Sequence, residues 1–192
     1  MKAKNLYIIA GCNGAGKTTA SFNILPEILG CKEFVNADEI ARGISPFQPE
    51  KVAIEAGRIM LNRIRELMNS GVDFALETTL SSLSYQQFIK EAQSNGYYVT
   101  LLYFWLETPQ LAIERVAKRV ASGGHHIPKD VIERRYIKGI SNLFSFYVNI
   151  CDYSQVYDNS QNNSILVYRK RKSEDEIVFD QVRFNKIKNF AK

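Results

Sequence analysis

Short apolar runs alternate with amphipathic segments along this 192-residue chain. Four runs rich in aliphatic and aromatic residues predict buried strands, and two shorter runs predict weaker ones. In chain order, the predicted strands are residues 6–10, 34–37, 74–76, 99–106, 156–158 and 165–168. Since helical segments separate them, the pattern predicts a doubly wound α/β fold, in which helices cover both faces of a mostly parallel sheet.

Proline and glycine residues mark where the main predicted helices begin and end. One helix is predicted between Pro49 and Gly71, with its apolar face in the core. Thr108 and Pro109 predict the N-cap and first residue of a helix that runs to about residue 122. Pro128 begins a further predicted helix that continues past residue 147. The residues assigned to packing are Val52, Ala56, Ile59, Met60, Ile64, Leu67, Met68, Tyr136, Phe144, Phe146 and Tyr147.

A glycine-rich segment, GCNGAGKT at residues 11–18, lies between the first strand and a helical segment. It satisfies G-x-x-x-x-G-K-[ST], the phosphate-loop pattern, in the required strand-to-helix context. Backbone N–H groups of such a loop and the following helix N-terminus bind phosphate. We expect Lys17 to be partly exposed and to meet the β- and γ-phosphates of ATP, and Thr18 to ligate Mg²⁺. The predicted nucleotide-binding residues are Gly11, Asn13, Gly14, Ala15, Gly16, Lys17, Thr18 and Thr19.

Carboxylates follow two of the predicted strands, Asp38 after the second and Glu77 after the third. Ligands of open α/β sheets bind outside the carboxyl ends of strands, so both groups should face the phosphate loop. Asp38 is the predicted general base that takes the proton of an acceptor hydroxyl, and a helix N-cap is its alternative role. Glu77 is predicted to orient the substrate or hold Mg²⁺ through water, and a strand-end salt bridge is its alternative.

Residues 115–135 contain six Lys or Arg and two acidic residues. This segment predicts an arginine-rich helical lid, because Arg115 and Arg119 share one helical face and a glycine pair supplies a hinge before Arg134 and Arg135. A closing lid can bring guanidinium groups onto a transferred phosphoryl group. For each arginine, the alternative is a surface ion pair.

The composition, 23% charged and 45% hydrophobic, suits one globular domain over residues 1–192. The formal net charge is +5, and residues 169–192 hold eight Lys or Arg against four Asp or Glu. A nucleic-acid surface would therefore depend on this basic segment, of which residues 169–172 are the densest run. A solvated edge strand explains such a short run better, so nucleic acid is not the expected partner.

Three cysteines, Cys12, Cys31 and Cys151, have no C-x-x-C spacing, so neither a disulfide framework nor a zinc site is predicted. His125 and His126 are adjacent and lack a third ligand at metal-site spacing. No apolar run has the length that a signal peptide or membrane span requires. We expect a soluble, cytoplasmic protein that makes no membrane contact.

Several further segments occur in a specific order after the phosphate loop. They are residues 36–41, 56–58, 77–81, 115–120, 123–125, 127–128, 134–136 and 157–160. Together with residues 11–19, this order resembles the zeta toxin family of P-loop kinases, in particular its short bacterial members. The resemblance extends over roughly residues 6–160.

The resemblance implies a three-layer P-loop kinase fold, ATP as phosphoryl donor and Mg²⁺ as its partner ion. Carried over by position, the implied site residues are Asp38 as base, Glu77 and Thr79 as substrate contacts, and Arg119 with Arg134 or Arg135 around the γ-phosphate. Better-known zeta toxins phosphorylate UDP-N-acetylglucosamine, which makes a nucleotide sugar a candidate small-molecule substrate. A protein antitoxin, not visible in this chain, is an implied candidate partner. The base segment differs from theirs, since it has the sequence NADEI at residues 36–40, and the acceptor therefore stays open.

We therefore expect an ATP-dependent kinase that acts on a small hydroxyl-bearing metabolite. Two alternatives stay open. One is a nucleic-acid-end kinase or nucleic-acid-bound NTPase, which the basic segment would serve. The other is a nucleotide-binding regulatory module that transfers nothing.

Overall fold

The computed structural model describes residues 4–124 and 126–191. Within them, seven strands form one sheet in the order β2-β3-β1-β4-β5-β6-β7. The first five strands are parallel to their neighbours, and the last two pair antiparallel. The strands are β1 (Lys4–Gly11), β2 (Glu33–Val35), β3 (Phe74–Thr78), β4 (Tyr97–Trp105), β5 (Tyr153–Asp158), β6 (Ile165–Arg171) and β7 (Ile177–Val178).

Helices connect the parallel strands. They are α1 (Lys17–Glu27), α2 (Ala37–Ile44), α3 (Ala53–Ser70), α4 (Tyr85–Ser94), α5 (Pro109–Ala121), α6 (Lys129–Asn142) and α7 (Val148–Ile150), and a further helix, α8 (Gln181–Asn189), follows the last strand. The chain crosses the sheet in one direction from β1 to β2 and in the other direction from β2 through β5. Because parallel crossovers are right-handed, α1 lies on one face and the later connecting helices on the other. The predicted three-layer α/β fold is confirmed.

The six predicted strands are present, and most are longer than predicted. The exception is the second strand, which was predicted to continue through residue 37 but ends at Val35. Asn36 stops it, since its side chain accepts a hydrogen bond from the backbone N–H of Asp38 and so caps α2. The C-terminal elements β7 and α8 were not predicted.

The long helix between Pro49 and Gly71 is confirmed, with a 3₁₀ turn at Pro49–Val52 before α3. Gly71 ends it in the left-handed conformation, with φ 70°. The prediction of core packing is wrong for two residues of this segment. Ile59 is 40% exposed because it faces a groove beside the edge strand β2, and Val52 is half-buried in the 3₁₀ turn.

Thr108 caps α5 as predicted, since its hydroxyl accepts a hydrogen bond from Leu111 N–H. The next helix also continues as predicted, through a π-helical segment at Leu143–Tyr147. Within that segment Tyr147 is fully buried, whereas its neighbour Phe146 points away from the core and is 40% exposed. The packing prediction is therefore wrong for Phe146.

The basic C-terminal segment is folded onto the body. Phe184 and Ile187 of α8 are buried, and Lys170 donates to Asn149 Oδ1. Arg171 and Lys172 form ion pairs with acidic side chains. Much of the segment's charge is thus used in contacts along a sheet edge. Among the described helices, none has the length and apolar character to cross a membrane.

Candidate active site

The loop between β1 and α1 requires glycine at the two positions that its pattern specifies, Gly11 and Gly16, and also at Gly14. Gly14 and Gly16 have φ values of 82° and 81°, where side chains with a Cβ are strained. A Cβ on Gly11 would lie 2.2 Å from the Phe104 carbonyl oxygen, and one on Gly14 would lie 2.8 Å from the Ala112 carbonyl oxygen. The loop is therefore packed closely against β4 and α5.

The N-terminus of α1 opens into this loop. Its N-cap is Gly16, and no side chain of the described residues caps the helix. The first N–H groups of an uncapped helix carry a partial positive charge and bind anions. Ala15 is fully buried, and Thr19 is exposed on the first turn. The predicted phosphate cradle is thus formed by backbone, with only a few side chains pointing into it.

Lys17 is buried, with 6% of its surface exposed, so the prediction of a partly exposed lysine is wrong. Its ammonium donates to the Cys12 carbonyl oxygen at 3.0 Å and lies 3.4 Å from Glu77 Oε1. The register explains this burial. Because β1 and β3 are neighbours, with Ile9 beside Glu77, the Glu77 carboxylate lies close to Lys17 and neutralises its charge.

Glu77 connects three groups at the end of β3. Its Oε2 atom accepts hydrogen bonds from Thr18 Oγ1 at 2.8 Å and from Asn36 Nδ2 at 2.9 Å, while Oε1 faces Lys17. Glu77 therefore forms a salt bridge with Lys17 at the end of its strand, which is the alternative role predicted for it. The Thr18 hydroxyl donates a hydrogen bond to the carboxylate. The lone pairs of Thr18 Oγ1 therefore stay available to a cation.

Asp38 lies in the first turn of α2 and is exposed. The alternative role of N-cap is wrong for Asp38, since Asn36 Oδ1 accepts the Asp38 N–H at 2.8 Å. Within the described residues, the Asp38 carboxylate has no hydrogen-bond or ion-pair partner. It is available to a ligand.

A cavity of about 230 Å³ lies at the carboxyl ends of β2 and β3 beside the phosphate loop. It brings together six residues predicted for the site from four separate elements. These residues are Asn13, Lys17, Asp38, Glu77, Thr79 and Arg135. Asn36, Met60, Thr78 and Tyr85 complete much of its wall.

The loop after β3 is held in an unusual backbone conformation. Leu80 has φ 54°, the one positive φ outside glycine among the described residues. Asn142 Nδ2 donates to the Leu80 carbonyl oxygen at 2.8 Å, and Tyr147 Oη donates to the Ser82 carbonyl oxygen at 2.6 Å. Gly139 of α6 allows close approach, because a Cβ there would lie 2.6 Å from the Thr79 carbonyl oxygen. These contacts fix where Thr79 enters the cavity.

The four arginines of the predicted lid differ in position. Arg135 lines the cavity and donates from Nη1 to Asn13 Oδ1 at 3.2 Å. Arg134 is exposed and Arg119 is half-buried, and neither lines this cavity. Arg115 donates to two backbone carbonyl oxygens, at 2.9 Å and 2.8 Å, in the loop after β5. The lid prediction for Arg115 is therefore wrong in this arrangement, because its guanidinium is used to hold that loop.

His125 lies outside the described residues, and His126 is exposed. The described residues contain no group of three or more His, Cys, Asp or Glu that could hold a metal ion. Burial raises the pKa of the Cys12 thiol to about 11, so this loop cysteine stays protonated near neutral pH. Burial also raises the pKa of the Tyr85 hydroxyl in the cavity wall.

Sequence reasoning missed Asn36, Tyr85 and the loop after β5. A signal for Asn36 was present, since Asn36 with Glu39 three residues later matches the capping-box pattern of a helix start. Tyr85 carries no such signal, because only the fold brings α4 to the cavity.

The sequence profile of the zeta toxin family matches residues 1–173. The chain belongs to the zeta toxin family. A relative from Haemophilus influenzae strain Rd, described as an uncharacterised protein, is 35% identical over 127 residues, which are 66% of this chain and 88% of that protein.

Solved structures share the fold. A chain of the AvrRxo1-ORF1:-ORF2 complex with ATP has a TM-score of 0.76 and 16% identity, over 96% of this chain and 63% of that one. This zeta toxin family member thus spans less than two thirds of that protein. A chain of the PezAT toxin–antitoxin system of Streptococcus pneumoniae has a TM-score of 0.66 and 18% identity, over 99% of this chain and 85% of that one. Family and fold together support a P-loop kinase-type function.

Proposed function

We propose that this zeta toxin family member is an ATP-dependent phosphotransferase that phosphorylates a hydroxyl of a small metabolite. One observation carries the proposal. A single cavity is lined by the cationic groups of Lys17 and Arg135 and by the exposed carboxylate of Asp38. Phosphoryl transfer needs positive charge around the transferred group and an acceptor for the hydroxyl proton, and these side chains supply both.

The phosphate-loop side fits a nucleotide triphosphate with Mg²⁺. Its uncapped helix N-terminus and its glycine backbone suit phosphate oxygens, and the Lys17 ammonium lies at the loop's centre. Thr18 Oγ1 and Glu77 provide the few hard oxygen ligands with which proteins hold Mg²⁺, directly or through water. Bound Mg²⁺ supplies charge that neutralises the phosphates during transfer.

We assign Asp38 as the general base. In the proposed reaction the acceptor oxygen bonds to the γ-phosphorus, the bond from that phosphorus to ADP breaks, and the acceptor proton moves to the Asp38 carboxylate. Asn36 supports this role, since it fixes the backbone N–H of Asp38 and also bonds Glu77. Arg135, and Arg119 or Arg134 after lid movement, would stabilise the negative charge of the transferred group.

UDP-N-acetylglucosamine is the leading acceptor under this proposal. Hydroxyls of Thr78 and Thr79 line the cavity, and such groups recognise the hydroxyls of a sugar. Family membership supports the same acceptor class.

The test is product identification by mass spectrometry. The protein is incubated with Mg-ATP and a panel of UDP-sugars, nucleosides and short oligonucleotides, with Lys17→Met as the inactive control. A UDP-sugar heavier by one phosphoryl group supports the proposal. Phosphorylation of an oligonucleotide alone would identify a nucleic-acid-end kinase, and ATP binding without any product would identify a regulatory module.

A protein antitoxin is the proposed macromolecular partner. Support comes from family membership and from the fold shared with a chain of the pneumococcal toxin–antitoxin system. Co-expression of the genomic neighbour with a tagged Asp38→Asn variant tests it. A stoichiometric complex is expected, and separate elution on size-exclusion chromatography would contradict it.

A further inference from the structure

The loop after β5 is in contact with the phosphate loop. Asn159 Nδ2 donates a hydrogen bond to the Ala15 carbonyl oxygen at 2.7 Å, across 144 positions of sequence. The contact leaves no spare room, because a Cβ on Gly16 would lie 2.7 Å from the same nitrogen. A side chain from the far end of the parallel sheet is thus in direct contact with the nucleotide-binding loop.

Hydrogen bonds hold both the backbone and the side chain of Asn159. Its backbone N–H donates to the Trp105 carbonyl oxygen at 2.8 Å, and its backbone carbonyl oxygen accepts from Arg115 Nη1 at 2.9 Å. Its side-chain Oδ1 accepts from Ser164 Oγ at 2.6 Å. Because the Ala15 carbonyl oxygen can only accept, the amide nitrogen must be the atom that faces it, and the amide oxygen accepts from the Ser164 hydroxyl.

Because the peptide bond is planar, the hydrogen bond to the Ala15 carbonyl also sets the direction of the N–H of the next residue. In a trans peptide the C=O of one residue and the N–H of the next point in opposite directions, and the described peptide bonds are all trans. Since the Ala15 carbonyl points to Asn159, the N–H of Gly16 points the opposite way, away from Asn159. That N–H is one of the groups that a phosphate-binding loop presents to its ligand.

We propose that Asn159 is a positioning residue for phosphate binding, which holds the Ala15–Gly16 peptide so that the Gly16 N–H faces the phosphates. The proposal rests on the proposed function, because it assigns how the same loop binds its nucleotide. It accounts for the use of Arg115, whose guanidinium anchors the Asn159 backbone instead of facing the phosphates.

Calorimetric titration with inorganic pyrophosphate and with Mg-ADP tests this role. Asn159→Ala should weaken both ligands by about tenfold, the effect of misplacing one hydrogen bond to a charged group. Pyrophosphate has no base, so an equal loss for both ligands places the effect at the phosphates. Asn162→Ala is the matched control, since Asn162 is exposed in the same loop, and it should change neither affinity by more than about twofold.

A spectroscopic measurement separates positioning from general loosening. In ¹⁵N–¹H spectra, pyrophosphate should shift the Gly16 amide of the wild type, and this shift should shrink in Asn159→Ala while the Gly14 amide still responds. If Asn159→Ala does not fold, Asn159→Asp keeps the acceptor for Ser164 and replaces the donor to Ala15 with a carboxylate oxygen. Asn159→Asp should lose at least as much affinity as Asn159→Ala, because its carboxylate repels both the carbonyl and the phosphate.

Three results would overturn the proposal. They are unchanged affinity for both ligands, a loss with Mg-ADP alone, or an equal Gly16 amide shift in wild type and variant. The second result would mean that Asn159 acts on the nucleoside. If the wild type bound neither ligand, the proposed function would fail as well, whereas normal wild-type binding with an unaffected variant removes only the role of Asn159.

Discussion

The two sides of the candidate active site are organised differently. On the phosphate-loop side, Lys17, Thr18 and Glu77 are bonded to one another, and Lys17 is buried. On the acceptor side, Asp38 is exposed and its carboxylate is unbonded among the described residues, although hydrogen bonds fix the backbone around it. Under the proposed function, the donor site is therefore preformed, whereas the acceptor site would be completed by its substrate.

This difference has a physical cause. Phosphate binding depends on backbone N–H groups and a buried charge, which must be held before the ligand arrives. A general base must instead reach a proton that only the acceptor brings. Substitutions on the donor side should therefore impair binding and stability together, and substitutions on the acceptor side should impair turnover.

Lys17→Met is expected to have the largest effect. It removes the central cation of the loop and leaves the buried Glu77 carboxylate without its counter-charge, at a cost of about 3–5 kcal/mol in the free energy of unfolding. Calorimetry with Mg-ADP and urea unfolding should show lost binding and lower stability. In the double variant with Glu77→Gln, stability should recover while binding stays lost. Recovered binding in the double variant would contradict the account.

Asp38→Asn should show the opposite pattern on the acceptor side. Transfer should fall by roughly 10²- to 10⁴-fold, the loss expected for a general base, while Mg-ADP affinity stays within about threefold. Glu39→Gln is the matched control, since Glu39 is exposed on the next position of α2. Nearly full turnover of Asp38→Asn, measured with the identified acceptor, would remove Asp38 from the mechanism.

Arg135→Ala and Arg134→Ala compare a cavity arginine with its exposed neighbour. Arg135→Ala should lower kcat by about 10- to 100-fold with a smaller change in the KM for ATP, because a cation near the transferred group acts most in the transition state. Arg134→Ala should change kcat by less than about threefold if the lid closes without it. Equal losses in the two variants would show that both arginines reach the phosphoryl group.

Asn142→Ala tests the loop that carries Thr79. The variant loses the hydrogen bond to the Leu80 carbonyl oxygen, which helps to hold Leu80 at its positive φ. The KM for the acceptor should rise by about fivefold, the value of one net hydrogen bond, while the KM for ATP stays constant. Lys138→Ala, exposed on the same helix, is the control. Steady-state kinetics with a rise in the KM for ATP alone would contradict this assignment.

The smallest expected effect concerns Cys12. With its pKa raised to about 11 by burial, roughly one Cys12 thiol in 3,000 is ionised at pH 7.5. The folded protein should therefore resist iodoacetamide at Cys12 and keep its activity, and alkylation should become fast as the pH approaches 11 or after unfolding. Peptide mass mapping measures the modification, and rapid alkylation of Cys12 in the folded protein at pH 7.5 would contradict the burial of the loop.

The phosphate loop could be predicted from the sequence because residues 11–18 contain its whole pattern in one contiguous segment. Asp38 and Glu77 could be predicted because each follows an apolar strand, and the carboxyl ends of parallel strands meet at one edge of the sheet. The burial of Lys17 could not be predicted, since it depends on the β1–β3 register that delivers Glu77. Likewise, Arg115 was predicted as a lid residue because nothing local indicates that its guanidinium meets the Asn159 backbone.

The central claim is that the phosphoryl group passes to an acceptor held beside Asp38 and not to water. The most direct measurement uses ATP with ¹⁸O at the terminal γ-oxygens, the acceptor panel and mass spectrometry of every phosphorylated product. The account predicts a phosphate ester of an acceptor hydroxyl that keeps the terminal label, and its near disappearance with Asp38→Asn. Label found in inorganic phosphate alone, at equal rates for wild type and Asp38→Asn, would contradict it.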